Sequence, residues 1–320
     1  MMQKNGVNSQ FHPIILIYHR TSYYYCAIMI TYNPKDWFTF IFRLHKSDTI
    51  RQLFPMIIAM ALYSWIIAYL ELEYWKLSKE NLVRNLTLLH NLLGFVLSLL
   101  LVFRTKTAYD RWWEGRKQWG ALVNNSRNLA IKIKSFVPED PGTLAFFQRM
   151  ISLYASVLAH HLQSEKTRLA LDEKEHPEID KIDASKHMPN QVALLMIQRT
   201  TRLYKEEKIT GDQLIVLNGE LQSFTDICGA CERIRNTPIP YSYSVFLKKF
   251  IFFYIMSLPF GFVFSLGYYV IPVVTFIFYV LASLELIAEE IEDPFGQDAN
   301  DLPTGKIASN IKIHTAEILN

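Results

Sequence analysis

Between Leu92 and Trp113 the chain reads LLGFVLSLLLVFRTKTAYDRWW, apolar for three turns and then basic and aromatic, with no proline to interrupt it. One continuous helix accounts for both halves only if it crosses a membrane and runs on into water. A helix rises about 1.5 Å per residue, so the apolar part must begin near Leu86 to cross a hydrocarbon core of about 30 Å. Arg104 marks the exit.

Within this helix Phe95, Leu99 and Phe103 recur every four residues and form one slowly drifting stripe, with Gly94 and Ser98 as a pair of small residues beside it. Such a stripe fits a lipid-facing or core face of an ordinary transmembrane helix, and the small pair predicts close helix packing. Spacing alone gives the stripe no further role.

Of the 320 residues 50% are hydrophobic and 20% charged, too apolar for an ordinary soluble protein and too charged for one wholly within a membrane. A formal net charge of +3 and the lack of a basic tail give no footing for nucleic acid. Cys26, Cys228 and Cys231 are too few for a disulfide framework. Cys228 and Cys231 have redox-motif spacing, but they sit in a helical pattern with no preceding strand and no second pair for zinc, so packed thiols are expected.

In chain order, residues 1–28 lack periodicity and a cleavage site of secretory type, and they read as a poorly structured extension preceding a plausible start at Met29. From Met29 an amphipathic, basic and aromatic segment suits a membrane surface. A first span is expected over 53–72, a second over 86–103, a third over 246–268 and a fourth over 270–288. Lys35, Arg43, Lys46 and Arg51 precede the first span, and Arg104, Lys106, Arg111 and Arg116 follow the second. The positive-inside rule therefore puts both flanks, and both termini, in the cytoplasm.

The region 104–244 is expected as a cytoplasmic domain of helices over 104–134, 141–165, 189–205 and 209–235, each with apolar residues at three and four spacing. Residues 165–190 are polar with Pro177 and Pro189, a surface loop. His160 and His161 point about 100° apart on a helix, a poor joint metal site. Pro259 should kink or break the third span, and Gly267 to Pro272 forms a tight hairpin. After the fourth span, Asp293, Gln297, Asp298, Asn300 and Asp301 place oxygen donors close together, of a kind that suits calcium but without EF-hand spacing. Residues 306–320 are expected as a tail.

Taken together, FRTKTAYDRWWEGRKQWG from Phe103, NNSRNLA from Asn124, IPYSY from Ile239 and EDPFGQDAND from Glu292 resemble the bestrophin family in its bacterial branch, from about Met29 to Asp301. The resemblance implies an all-α membrane protein: four transmembrane helices and a helical cytoplasmic domain, in a homopentamer around a central pore. Counting back from Arg111, it puts the pore neck on Phe95, Leu99 and Phe103. Counting back from Pro240, it puts a cytoplasmic constriction near Asp212 or Gln213. The calcium clasp of animal members falls on Asp293, Asp298 and Asp301, but Ala299 and Asn300 thin the acidic string and weaken calcium attraction. No cofactor is required.

The expected function is passive flux of small monovalent ions across a bacterial inner membrane, with chloride implied by the animal members. A monovalent cation channel of the same fold is the alternative, since the neck carries no charge and polar groups such as Asp212, or Arg104 and Lys106 if they face the lumen, must decide. A carrier would use the broken third span but lacks an internal repeat. A membrane-anchored scaffold or sensor is the remaining reading. Expected partners are further copies of the chain, lipids and small inorganic ions. No phosphate loop, nucleophile motif or dinucleotide fingerprint points to an enzyme.

Overall fold

A computed structural model describes residues 49–75, 82–163, 182–183 and 185–320. The extension 1–28, with Cys26, and Lys35, Arg43 and Lys46 lie outside them. The described residues hold helices and no strand. Helix α1 is Thr49–Tyr69, extended by one wide π turn, Leu70–Tyr74. Then come α2 (Leu82–Phe136), α3 (Pro141–Gln163), α4 (Met188–Lys205) and α5 (Gly211–Asn236). Helices α6 (Tyr241–Leu266), α7 (Val270–Glu292) and α8 (Thr304–Leu319) complete the chain.

Among the described residues three stretches are long and apolar enough to cross a membrane: Thr49–Tyr74, Leu86–Phe136 and Tyr241–Glu292. The third is divided by a 3₁₀ turn, Gly267–Tyr269, where Gly267 takes a φ of +55°, a value that favours glycine. The protein is a membrane protein. Pro259 does not break α6. Its missing N–H leaves the helix short of a bond, and the carbonyls around it find donors on neighbouring helices. Tyr63 of α1 donates to the Met256 carbonyl at 2.9 Å, and Thr87 of α2 donates to that of Gly261 at 3.3 Å.

Helix α2, with 55 residues, spans about 80 Å and belongs to two cores. In the membrane layer its Leu97 and Leu101 pack with Leu247, Ile251, Ile255, Val270 and Val274 of α6 and α7. Further along, Trp119, Leu122, Leu129 and Ile133 join a second core with α3, α4, α5 and α8.

Polar residues stop and start the helices of this second bundle. Asp140 caps α3, its Oδ1 accepting from the Thr143 N–H at 2.9 Å, with Pro141 next to it. Thr210 and Gln213 make a reciprocal capping box at the start of α5. Residues 306–320, expected as a tail, fold as α8 and bury Ala308, Ile311, Thr315 and Leu319. That three-and-four spacing is the helical signal, and it supplies a face the bundle would otherwise expose.

Candidate ion pathway and its supporting joint

The stripe points away from the protomer's own core. Phe95, Leu99 and Phe103 are 67%, 47% and 57% exposed, while Leu97, Leu101, Arg104 and Ala108 of the same helix are buried. At 100° per residue the two sets lie roughly 170° apart around the helix axis. One face of α2 is therefore committed to α6 and α7, and the aromatic and leucine face is left for something outside the chain. The small pair divides: a Cβ on Gly94 would stand 2.6 Å from the Tyr254 hydroxyl, so α2 and α6 approach closely there. Ser98 is exposed instead, in a groove of about 620 Å³ shared with Val102, Tyr109, Val280 and Leu284.

Directly below the stripe, α2 is clamped to the end of α7. Arg104 is buried, its Nη1 2.7 Å from Glu292 Oε2 and its Nε 3.5 Å from Glu285 Oε2. Arg104 thus serves an internal ion pair and does not face a lumen. Lys106 is exposed and pairs with Asp110 at 2.6 Å, one turn on. The other Glu292 oxygen accepts from the Ile239 N–H at 2.7 Å.

Arg111 donates from Nε to the Glu292 carbonyl at 3.0 Å, from Nη2 to that of Ile234 at 2.5 Å, and from Nη1 to that of Thr237. These carbonyls end helices α7 and α5, where unsatisfied acceptors gather and a guanidinium fits. Trp112 Nε1 donates to the Asn300 carbonyl at 3.0 Å. Phe295 is fully buried, with its ring against Gly115. The RWWE and EDPFG runs are therefore two halves of one joint.

Asp212 is exposed in the first turn of α5, and Gln213 spends its side-chain oxygen on the Thr210 N–H at 2.9 Å. In the acidic loop Asp301 is buried, with Oδ2 accepting from the Asp298 N–H at 2.5 Å and Oδ1 unpartnered. Burial raises its pKa to about 7. Asp293 Oδ1 accepts from the Phe295 N–H at 3.4 Å, and Asn300 donates to Glu290 at 2.7 Å. Among the described residues the one group that gathers three His, Cys, Asp or Glu ligand atoms within 4.8 Å of one another lies elsewhere.

Comparison with known proteins meets this geometry. The sequence profile described as "Bacterial/Fungal Bestrophin protein" matches residues 28–317. A "voltage-dependent anion channel-forming protein" of Nostoc sp. is 34% identical over 288 residues, 88% of this chain and 92% of that one. A protein of the same description from Escherichia coli K12 is 30% identical over 70% of this chain and 73% of its own. The chain belongs to the bacterial/fungal bestrophin family. A crystal structure of a mutant bacterial bestrophin homolog from Klebsiella pneumoniae superposes with a TM-score of 0.74 at 26% identity, covering 84% of this chain and all of that one.

The cysteines follow the sequence reading, and one histidine contact escaped it. Burial pushes the thiols of Cys228 and Cys231 up to about 12, which leaves them packed and unreactive, as their helical context suggests. His161 is not engaged with its neighbour His160. It meets His187 and Glu232, residues 26 and 71 positions away, which no local spacing could have paired.

Proposed function

We propose that this bestrophin is a homopentameric channel for passive flux of small monovalent ions, anions foremost, with Phe95, Leu99 and Phe103 from five copies lining the neck. The exposure of that stripe, on the face of α2 opposite its packed side, carries the reading. A ring of bulky apolar side chains makes a constriction that gates by losing and regaining its water. The curated relatives described as anion channel-forming proteins support anion flux.

The turn at Gly267 supports counting four spans, with α6 and α7 as a hairpin, and the lysines and arginines flanking the spans support cytoplasmic termini in a bacterial inner membrane. The region 104–244 then hangs in the cytoplasm, and Asp212 with Gln213 forms a second constriction there. Opening in this reading does not require calcium, and the protein transports without catalysing a reaction.

Purified protein in a planar bilayer under a potassium chloride gradient tests the proposal. A reversal potential near that of chloride is the expected result. A value near that of potassium would replace it with the cation channel, for which the exposed Asp212 carboxylate is the relevant group. A silent bilayer with intact oligomers would favour the scaffold or sensor.

A further inference from the structure

We propose that His161, His187 and Glu232 form a site for a divalent transition-metal ion of the zinc class, which clasps α3, the start of α4 and α5 together. Nothing in the ion pathway accounts for this cluster. His161 lies two residues before the end of α3, His187 is the N-cap of α4, and Glu232 stands in the second half of α5. Both Nε2 atoms are 2.6 Å from the same Glu232 oxygen, Oε1. The ligand atoms all lie within 4.8 Å of one another, the one such grouping among the described residues.

The donor set selects the metal. Two imidazole nitrogens and one carboxylate oxygen match a zinc site that leaves its fourth position to water, whereas calcium and magnesium take six or more oxygens. Imidazole donors favour zinc, nickel, cobalt, copper or iron over the hard cations. The three side chains are 25%, 33% and 29% exposed, so water can reach the open position.

Neighbouring groups hold the ligands in place, as around established metal sites. Arg235 Nη1 donates to the His161 carbonyl at 2.9 Å, one turn after Glu232 on the same helix. The Asn190 N–H donates to His187 Nδ1 at 3.2 Å, so the neutral His187 ring carries its proton on Nε2 and points it at Glu232.

Metal binding changes this arrangement in a defined way. Zinc bonds of 2.0–2.1 Å in a tetrahedral site hold ligand atoms about 3.3 Å apart, so each imidazole nitrogen must draw back from the Glu232 oxygen, now 2.6 Å away, by about 0.7 Å. The Nε2 lone pair of His187 goes to the metal and the ring proton moves to Nδ1, which ends the bond from Asn190. The ion therefore exchanges a helix cap for a tie between three helices.

The test uses the full-length protein in detergent, stripped with a chelator and titrated with zinc chloride by calorimetry, with calcium and magnesium chloride as controls. We expect one zinc per chain at micromolar or tighter Kd, a higher Tm with zinc, and no response to the hard cations. Zinc-edge absorption should show two imidazoles per ion. His187→Asn removes the imidazole and keeps a good N-cap, and Glu232→Gln keeps the hydrogen-bond acceptor, so both should fold with an unchanged size-exclusion profile and lose at least tenfold in affinity. Zinc bound as tightly by both variants as by the parent, or not bound by the parent, overturns the proposal and leaves two histidines donating to one carboxylate. The readout is independent of ion conduction.

Discussion

Gly115 lies against Phe295: a Cβ at position 115 would stand 3.1 Å from the ring, tighter than ordinary van der Waals contact. The glycine admits the phenylalanine of the loop after α7 to the side of α2, so the end of the membrane layer locks onto the helix that carries the stripe. Phe295→Ala should therefore lower unfolding stability by about 3–5 kcal/mol, the usual loss for a buried phenylalanine. Gly115→Leu should lower it by about 1–3 kcal/mol through overpacking. Thermal unfolding in detergent, followed by tryptophan fluorescence, measures both.

Arg104 with Glu285 and Glu292 makes a second test of the same joint. Removing one member of a buried ion pair leaves an uncompensated charge and typically costs about 3–5 kcal/mol. Arg104→Met should show a loss of that order. Adding Glu285→Leu removes one stranded carboxylate, so the double variant should be more stable than Arg104→Met alone. Additive losses in a double-mutant cycle would show that the two residues do not interact.

Much of the fold was legible before the structure. The continuous helix through Arg104 was predicted by the absence of a breaker, and the helices after it by three-and-four spacing, because periodicity is a local property of the chain. The RWWE and EDPFG runs stood out as motifs, but the contact of Arg111 and Trp112 with the loop near Glu292 and Asn300 lies 181 and 188 positions apart and has no local sign. The same holds for His187 and Glu232. Helix α8 was within reach, since Ile307, Ile311 and Ile318 have helical spacing, and its position at the chain end gave the misleading impression of a tail. Arg104 shows the opposite limit: sequence can place a charge at the membrane boundary but cannot say whether it faces a lumen or a buried carboxylate.

Asp140 predicts how the second bundle responds to acid. Its hydrogen bond from Lys208, and after it the bond from the Thr143 N–H, lowers its pKa from 3.8 to about 2. A depressed carboxyl stabilises the folded state fully above its unfolded value, and that contribution is lost as pH falls from about 4 toward 2. Asp140→Ala should cost about 1 kcal/mol at neutral pH, as for loss of an N-cap, and should flatten the acid limb of a plot of Tm against pH in that window. An unchanged acid limb would place the acid sensitivity elsewhere.

The neck prediction depends on the face of α2 that the protomer leaves uncovered. If Phe95, Leu99 and Phe103 of five copies ring a dry passage, replacing all three with alanine widens it and lowers the penalty for wetting. Conductance or open probability should rise, with the size-exclusion profile unchanged. If the stripe instead meets lipid or a helix of another copy, widening has no meaning, and truncation removes packing at about 2–5 kcal/mol for each well-buried side chain. The oligomer should then weaken or the current stay as it was. Because the same three side chains are exposed in the protomer, the substitution leaves its internal core of Leu97 and Leu101 intact, so a change in current can be assigned to the face in question. Single-channel recording beside a size-exclusion profile separates the outcomes, and a triple variant with unaltered current would remove these residues from the pathway.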